Sequence, residues 1–303
     1  MSTPLFSLIM ITYNKVQFLK AAIESVLAQS YENWELIISD DASTDGTWEL
    51  AVALSADEPR IKLRRNPTNI FIPKNRAAAA ELCTGEYIGH IDGDDVLYYN
   101  TVELAVHYFQ KYPDVALVFS DTSWLDTKGE IFGYHRNPDY CEDLTKHGWK
   151  HFGAFKRSVF HEVRGYNTEI NKPCEDGNLF MKIAEKYKFF RMPYVLYSQR
   201  YHGDNTSHKT NNCNECDQRP KCDFIRVWAK ATETKEHYVD IKTMTWVAKS
   251  ASPSDIRTPG DGKDDGAASA GEAHEGHGGA SGADSVRVVY EGGGVRSPIP
   301  AGA

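Results

Sequence analysis

The sequence predicts an α/β fold built on a single, Rossmann-like mixed sheet that is mostly parallel and flanked by helices. In the first 120 residues, apolar runs of strand length alternate with segments whose apolar residues recur at helical spacing. Several of these runs end directly at aspartates. Repeated strand–helix units imply parallel strands joined by right-handed crossovers, so these aspartates are expected at one edge of the sheet.

The individual elements follow from their apolar patterns and end signals. Almost continuous apolar runs predict buried strands, and one-sided apolar stripes predict helices. Asn100 and Glu103 have the spacing of a capping box, which predicts a helix start. Strands are expected at 5–12, 34–39, 61–64, 87–91 and 115–120, and helices at 19–27, 44–55, 76–82, 100–112 and 177–187.

The composition predicts one large folded region followed by an unstructured end. The chain has 303 residues and a hydrophobic content of 41%, which is enough for a sizeable core. Residues 251–303 are dominated by Gly, Ala, Ser, Asp and Glu, so burial cannot offset the entropy of ordering them. The expected organisation is a folded domain at 1–250, with halves at 1–120 and 121–210 and a cysteine-containing extension at 211–250, and a disordered low-complexity tail at 251–303.

The charge, the N-terminus and the cysteine content bound the environment of the protein. The formal net charge of -8 argues against a nucleic-acid partner. The first residues lack a basic region before their apolar stretch, and no apolar run has the length of a transmembrane segment. The six cysteines suit a reducing compartment. These features predict a cytoplasmic protein, with peripheral association at the inner face of the membrane as the variant of that prediction.

A cluster of carboxylates follows the fourth predicted strand. Asp92, Asp94 and Asp95 are separated only by Gly93. One interpretation is an Asp-Gly turn, which is common between elements. The other is a site for a hard divalent cation, because carboxylates crowded at a strand end repel one another unless a cation shares them.

Three further segments are expected to meet this cluster at the same sheet edge. Residues 12–15 (Thr-Tyr-Asn-Lys) follow the first strand, Asp41 follows the second, and Arg76 opens the alanine-rich helix. An aromatic ring, a carboxylate and a guanidinium can contact a nucleotide's base and phosphates. Each group also has a structural alternative: Tyr13 in the core, Asp41 capping a turn, and Arg76 as a surface charge.

Seven short segments together carry a resemblance to a known family. They are Ile11-Thr12-Tyr13-Asn14-Lys15, Ser25-Val26-Leu27-Ala28-Gln29-Ser30-Tyr31, Asp40-Asp41-Ala42-Ser43-Thr44-Asp45-Gly46-Thr47, Thr84-Gly85-Glu86-Tyr87-Ile88, Asp92-Gly93-Asp94-Asp95, Glu175-Asp176 and Tyr201-His202-Gly203-Asp204-Asn205-Thr206-Ser207. In this order and spacing the chain, from about residue 5 to about residue 208, resembles the family 2 glycosyltransferases, which are inverting sugar-nucleotide enzymes of the GT-A fold.

The resemblance implies a role for each matched residue. Asp92-Gly93-Asp94 resembles the family's DxD motif, in which Asp94 is the expected ligand of Mg²⁺ or Mn²⁺, with Asp92 and His202 as further metal contacts. Two departures are Ala77, where members often have Asn, and Ala42, where Gly is usual. The expected nucleotide-sugar contacts are Thr12, Tyr13, Asn14, Asp41, Arg76, Asp92 and Gly93.

By the same resemblance, Asp176 is the catalytic base. It would take the proton of the acceptor hydroxyl during a single displacement that inverts the anomeric configuration. The alternative is that Asp176 only caps the helix predicted from Gly177. Glu175 is interpreted as a supporting contact.

The cysteines near residue 220 form a separate pattern. Cys213 and Cys216 have CxxC spacing, and Cys222 follows closely. Such a set suits a structural Zn²⁺ if His208 or Cys174 supplies a fourth ligand. Free thiols or a redox-sensitive pair are the alternatives.

The expected function is that of a metal-dependent, non-processive glycosyltransferase. It would move a sugar from a nucleotide-sugar donor, with UDP as the expected carrier, to a glycan, lipid-linked or protein acceptor in surface polysaccharide or glycoconjugate biosynthesis. The lack of membrane helices and of a QxxRW signature favours a single transfer per acceptor. Aromatic side chains in the expected acceptor region could stack on sugars or close the core; they are Trp124, Tyr134, Trp149 and His151.

Three other classes of protein compete with this expectation. A nucleotidyltransferase would usually have a Gly-rich, basic phosphate loop near the first strand, and residues 12–15 are not such a loop. A glycosidase needs paired carboxylates but no nucleotide pocket. A catalytically inactive sugar-nucleotide- or glycan-binding protein on the same fold is the main alternative. The presence of both Asp94 and Asp176 argues against it.

Overall fold

A nine-stranded mixed sheet organises the fold in a computed structural model that describes residues 3–137, 140–141, 152–170, 175–203, 205, 237–240 and 245–248. The elements are β1 (Phe6–Thr12), α1 (Val16–Leu27), β2 (Trp34–Asp40), α2 (Thr47–Ser55), β3 (Ile61–Arg65), α3 (Ile72–Ala80), β4 (Tyr87–Asp92), β5 (Val96–Leu97), α4 (Thr101–Lys111), β6 (Val115–Leu125), β7 (Ile131–His135), β8 (Tyr140–Cys141), β9 (Gly153–Lys156), α5 (Arg157–Glu162), α6 (Glu175–Ala184), β10 (Lys188–Arg200), β11 (His237–Asp240) and β12 (Thr245–Ala248).

The strands of the main sheet follow the order β3-β2-β1-β4-β9-β6-β10-β5, and β7 pairs with β6. The first four run parallel to one another. β9 is antiparallel to both β4 and β6, β10 is parallel to β6, and β5 is antiparallel to β10. The predicted mixed, mostly parallel sheet flanked by helices is therefore confirmed.

The alternating side chains of β1 show how the core is divided between the two faces of the sheet. Phe6, Leu8 and Met10 pack with the apolar stripes of α1 and α4. Ile9 and Ile11 point the other way and pack with apolar residues of α3, α5 and α6. All of these strand residues are buried. Burial on both faces explains why the strand reads as a continuous apolar run.

A buried carboxylate fixes the beginning of β4 at the opposite edge from the aspartate cluster. Glu35 Oε1 accepts hydrogen bonds from Ser7 Oγ at 2.6 Å, from Thr84 N–H at 2.6 Å and from Gly85 N–H at 3.2 Å, while Glu35 Oε2 meets Lys62 Nζ at 2.6 Å. Burial raises the pKa of Glu35, but Lys62 and these donors outweigh it and lower that pKa to about 2. The turn that leads into β4 is thus anchored by one charged group.

α2 and α3 do not begin where the sequence predicts, because of local backbone geometry. α2 begins at Thr47, not at residue 44, because Gly46 has a left-handed φ of 95° and Asp45 Oδ1 accepts the Thr47 N–H at 3.0 Å. α3 begins at Ile72, with Pro73 in its first turn, so Arg76 lies inside the helix and does not open it.

The predicted capping box of α4 is wrong. Asn100 makes no side-chain cap hydrogen bond. Glu103 instead accepts a hydrogen bond from Ser30 Oγ at 2.6 Å. The reason is a tertiary contact with the loop after α1, which offers Glu103 a partner from outside its own helix.

The C-terminal part of the described chain adds a small second sheet, in the order β12-β11-β8. Cys213, Cys216 and Cys222, together with His208 and Cys174, lie outside the described residues, as do most of the predicted extension and the whole predicted tail at 251–303. None of the helices in the described part of the chain combines the length and hydropathy needed to cross a bilayer.

Candidate active site

The ends of β1, β2 and β4 bring the predicted segments to one sheet edge. Thr12 is in register with Asp40, and Ile11 with Asp92. Beyond the strands, the Asp41 N–H donates to the Thr12 carbonyl at 2.9 Å, and the Gly93 N–H donates to the Ile11 carbonyl at 3.0 Å. Loops that follow parallel strands form the usual ligand site of such sheets.

The loops after β1 and β2 are tied together by side chains. The Asn14 N–H donates to Ser43 Oγ at 2.9 Å, and Asn14 Oδ1 accepts the Thr44 N–H at 2.9 Å. Ala42 adopts a left-handed φ of 63°, which explains why the related position usually holds glycine. Tyr13 is 44% exposed, so its ring is at the surface of the site and not in the core. Asn14 therefore acts in the structure as a brace between the two loops.

Asp41 lies at the bottom of the site with one oxygen already engaged. It is buried, and its Oδ1 accepts from Asn66 Nδ2 at 2.7 Å and from the Ile70 N–H at 2.9 Å. Among the described residues no donor reaches Oδ2, so this oxygen can accept a hydrogen bond from a ligand. Asn66 was not predicted, and its position directly after β3 is the sequence signal that identifies it.

Thr12 and Gly93 face each other across the site. A Cβ atom at Gly93 would lie 2.9 Å from both Cβ and Oγ1 of Thr12, so only glycine fits there. Thr12 Oγ1 is buried and has no hydrogen-bond partner within the described part of the chain. A buried hydroxyl without a partner is uncommon and is consistent with a ligand contact.

Asp94 meets His202 and Lys15. Its Oδ2 lies 2.8 Å from His202 Nε2 and 2.7 Å from Lys15 Nζ. Lys15 Nζ is also 3.3 Å from His202 Nε2. Burial raises the pKa of Asp94, but His202 and Lys15 outweigh it and lower that pKa below its usual value. The carboxylate is therefore charged at neutral pH and holds a cation beside an imidazole.

Asp95 faces away from this group and supports the loop. Its Oδ2 accepts from Tyr197 Oη at 2.6 Å, and its Oδ1 accepts from the Arg200 N–H at 2.7 Å. The guanidinium of Arg200 donates to the Asp94 carbonyl at 3.0 Å. Burial, with the charges of Asp94 and Asp92, raises the pKa of Asp95 well above its usual value. These contacts join residues 92–95, the carboxylate loop, to the end of β10 at Arg200, two residues before His202.

Arg76 connects the carboxylate loop to α6. The side chain is buried, and it donates from Nη2 to Asp92 Oδ1 and from Nε to Glu175 Oε1, both at 2.7 Å. Burial is also the main reason why the pKa of Glu175 is raised, to about 7, against the lowering effect of Arg76. Among the described residues, Arg76 Nη1 is buried without a hydrogen-bond partner. Arg76 is thus a buried bridge and not a surface charge.

Asp176 lies in the first turn of α6, which begins at Glu175, two residues before the predicted start at Gly177. Its Oδ1 accepts the Gly177 N–H at 2.6 Å, and its side chain is half-buried. Asp176 is next to Glu175, which Arg76 holds against Asp92. The expected base is therefore on the element that Arg76 ties to the carboxylate loop.

The structure divides the predicted metal ligands between two partners. Asp94 meets His202, whereas Asp92 turns to Arg76. Within the described ranges there is no group of three or more His, Cys, Asp or Glu side chains arranged to hold a metal. Asp94 and His202 are the pair that fits a divalent cation, because they combine a carboxylate with an imidazole around a bound positive charge. The assignments of Asp92, Asp94 and His202 as metal ligands stay predictions.

Comparison with known proteins decides the family. The model for "Glycosyl transferase family 2" matches residues 7–164. The chain belongs to glycosyl transferase family 2. It is therefore a glycosyltransferase, as its sequence motifs predicted.

The relatives of this family 2 glycosyltransferase include polysaccharide synthases. It is 31% identical to the chondroitin synthase of Pasteurella multocida (strain Pm70) over 209 residues, which cover 68% of this chain and 22% of the synthase. The values for the Pasteurella multocida hyaluronan synthase are 31% identity, 68% of this chain and 21% of that protein. The chain thus spans less than a quarter of the length of these synthases. The expectation of a single transfer per acceptor stays a prediction.

Solved structures with the same fold include two glycosyltransferases bound to nucleotide sugars. S. aureus TarS 1-349 in complex with UDP-GlcNAc has a TM-score of 0.57 at 17% identity, over 73% of this chain and 64% of that one. The mannosyltransferase PcManGT from Pyrobaculum calidifontis, in complex with GDP-Man and Mn²⁺, has a TM-score of 0.55 at 18% identity, over 76% and 64%. These similarities establish the GT-A fold for this family 2 glycosyltransferase.

Proposed function

We propose that this glycosyltransferase uses a divalent metal ion and a UDP-sugar, and passes the sugar with inversion to a saccharide hydroxyl in polysaccharide or glycoconjugate biosynthesis. The observation that carries the proposal is the Asp94–His202 pair, which holds a positive charge directly after β4. Thr12 ends β1, and Asp41 directly follows β2. A site of this kind combines a nucleoside pocket with a cation position.

The nucleoside is proposed to lie against Tyr13, Thr12 and Asp41. Uracil carries a ring N–H that can donate to Asp41 Oδ2, while Oδ1 is occupied by Asn66 and Ile70. The exposed Tyr13 ring offers a face to the base, and Thr12 Oγ1 offers a hydroxyl. The UDP-GlcNAc complex of TarS, which shares the fold, supports uridine as the base.

The donor's diphosphate is proposed to bind next to Asp94. Asp94 and His202 would hold Mg²⁺ or Mn²⁺, and the Mn²⁺ complex of PcManGT on the same fold supports this assignment. A cation bound there neutralises the charge that develops on the departing diphosphate. Arg76 Nη1, which has no partner in the described part of the chain, adds a fixed donor to the same region.

The acceptor is proposed to be deprotonated by Asp176. As the acceptor oxygen bonds to the anomeric carbon, its proton passes to the Asp176 carboxylate, and the bond to UDP breaks on the opposite face of the sugar. One displacement of this kind inverts the anomeric configuration. The salt bridges from Arg76 to Asp92 and Glu175 hold the start of α6, and with it Asp176, in a fixed place.

An aromatic surface beside His202 is proposed to bind the acceptor saccharide. The rings of Trp124, Phe132 and Tyr201 lie 5.4 to 6.1 Å apart, centre to centre. Phe132 is 57% exposed and Tyr134 is 59% exposed. Exposed aromatic rings stack on the apolar faces of sugars. Trp149 and His151, the other predicted acceptor contacts, lie outside the described residues.

A donor-hydrolysis screen tests the proposal. The protein is incubated with UDP-, GDP-, dTDP- and CMP-sugars and with Mn²⁺ or Mg²⁺, beside the variants Asp94→Asn and Asp176→Asn. We expect metal-dependent release of UDP that Asp94→Asn abolishes. Asp176→Asn should still bind the donor but fail to transfer its sugar. If no donor is hydrolysed while one raises the melting temperature, the protein is the inactive binding protein of the alternative interpretation.

A further inference from the structure

Lys15 places a positive charge where the proposed metal ion would bind. Its Nζ lies 2.7 Å from Asp94 Oδ2 and 3.3 Å from His202 Nε2, and Oδ2 and Nε2 are 2.8 Å from each other. Only 18% of the Lys15 side chain is exposed. The ammonium therefore closes a triangle with the two atoms that fit a divalent cation.

The ammonium and a metal ion exclude each other at this position. Both would contact Asp94 Oδ2 and His202 Nε2, and two cations a few ångströms apart repel strongly when they are partly shielded from water. Metal binding to the chain as described must therefore move Lys15 first. The apparent metal affinity is then the intrinsic affinity multiplied by the fraction of time for which Lys15 has left the site.

The surroundings of Lys15 allow its side chain to move while Asp94 and His202 stay in place. The Lys15 N–H donates to Thr47 Oγ1 at 2.8 Å, so the backbone is anchored, whereas the four-carbon side chain is flexible. The ring of His202 stacks on Phe18 at a centroid distance of 4.9 Å. The Arg200 guanidinium also packs on Phe18, which is in the first turn of α1, at 5.2 Å from the ring centroid. His202 is thus held independently of Lys15.

We propose that Lys15 guards the metal position: its ammonium occupies the site between Asp94 and His202 until donor and metal bind together, and it then moves to the donor's diphosphate. This inference rests on the proposed function. The diphosphate brings the negative charge that a displaced ammonium needs, within reach of the same side chain. Metal and nucleotide therefore bind cooperatively, since each favours the state in which Lys15 has left the metal position.

The test measures Mn²⁺ binding to the full chain by the loss of the free Mn²⁺ signal in electron paramagnetic resonance, with and without UDP. Lys15→Met removes the charge and retains a side chain of similar length. Lys20→Met is the matched control, because Lys20 is an exposed lysine of the helix that follows Lys15, and its ion pair in the described part of the chain is with Glu24, at 3.7 Å. Lys15→Arg retains a positive charge at the site and controls for the effect of replacing the side chain alone.

We expect Lys15→Met to bind Mn²⁺ without UDP about tenfold more tightly than the wild type. UDP should strengthen Mn²⁺ binding in the wild type, Lys20→Met and Lys15→Arg, but by a much smaller factor in Lys15→Met. The UDP affinity of Lys15→Met in saturating Mn²⁺ should fall about tenfold, because the diphosphate loses a cation.

Three results would overturn the inference. If Lys15→Met binds Mn²⁺ no more tightly than the wild type, while Asp94→Asn abolishes binding, Lys15 does not guard the site and the proposed function stands. The same conclusion follows if Lys15→Arg binds Mn²⁺ as tightly as Lys15→Met. If the wild type binds no Mn²⁺ with or without UDP, both this inference and the proposed metal dependence are wrong.

Discussion

Replacing Glu35 with glutamine should remove a large part of the stability of the sheet edge opposite the active site. The pKa of Glu35 is lowered from 4.5 to about 2 by its partners. A pKa difference of this size corresponds to at most about 3 kcal/mol, since each tenfold change is worth about 1.4 kcal/mol. Lys62 is half exposed, so water screens part of its interaction with Glu35. We therefore expect a loss of about 2 kcal/mol at pH 7.

The sign of the pH dependence follows from the lowered pKa. A carboxyl group that is more acidic in the folded protein contributes its stability above its unfolded pKa of 4.5, and the contribution is lost as the pH falls toward 2. The difference between wild type and Glu35→Gln should thus be about half as large at pH 3 as at pH 7. Urea unfolding at both pH values, followed by tryptophan fluorescence, measures it.

Glu32→Gln is the control for this experiment, because Glu32 precedes Glu35 by three positions and is exposed. It should change the free energy of unfolding by less than about 0.5 kcal/mol. The reasoning is refuted if Glu35→Gln is no less stable than Glu32→Gln at pH 7. It is also refuted if the loss is the same at pH 3 and pH 7, since the loss would then not come from the charge.

Three further predictions concern the site itself. Arg76→Met should destabilise the protein by about 3 kcal/mol or more in urea unfolding, because it leaves the buried Glu175 without its cation; adding Glu175→Gln should recover part of that loss, and no recovery would contradict the bridge. Ala42→Gly should raise the free energy of unfolding by about 0.5 kcal/mol, and with it the urea midpoint, since glycine adopts a φ of 63° without the cost that alanine bears. A lower midpoint would show that Ala42 is not strained. Phe132→Ala should weaken the binding of the acceptor saccharide several-fold, measured by fluorescence titration, without changing the affinity for UDP. An equal loss of both affinities would contradict a separate acceptor surface.

The first strands and the edge where they deliver their polar residues could be predicted because both depend on local pattern. The apolar run of β1 ends at Thr12 and that of β4 at Asp92, and parallel pairing then places the two ends together. The helix starts were less predictable. α3 begins at Ile72, four residues before the alanine-rich pattern suggests, after Phe71, which has a φ of 67°. A single backbone angle of this kind leaves no periodic signal in the sequence.

The partners of the site residues could not be predicted from local pattern. Arg76 joins two residues, Asp92 and Glu175, which are 16 and 99 positions away from it in the sequence. Lys15 and His202 are 187 positions apart. Sequence motifs name the residues at such a site, but the pairs form only once β10 has returned beside the carboxylate loop. For the same reason Asn66, which holds Asp41, was missed.

The three aspartates after β4 illustrate why these long-range pairs matter for function. The sequence predicts that adjacent carboxylates need a shared cation, but the structure gives each its own partner: Arg76 for Asp92, Lys15 with His202 for Asp94, and Tyr197 for Asp95. Arg76 and Lys15 therefore already offset the charges of Asp92 and Asp94 before a ligand binds. A metal ion gains little from neutralising the cluster and must instead displace Lys15, which makes its binding depend on the diphosphate that can receive that ammonium.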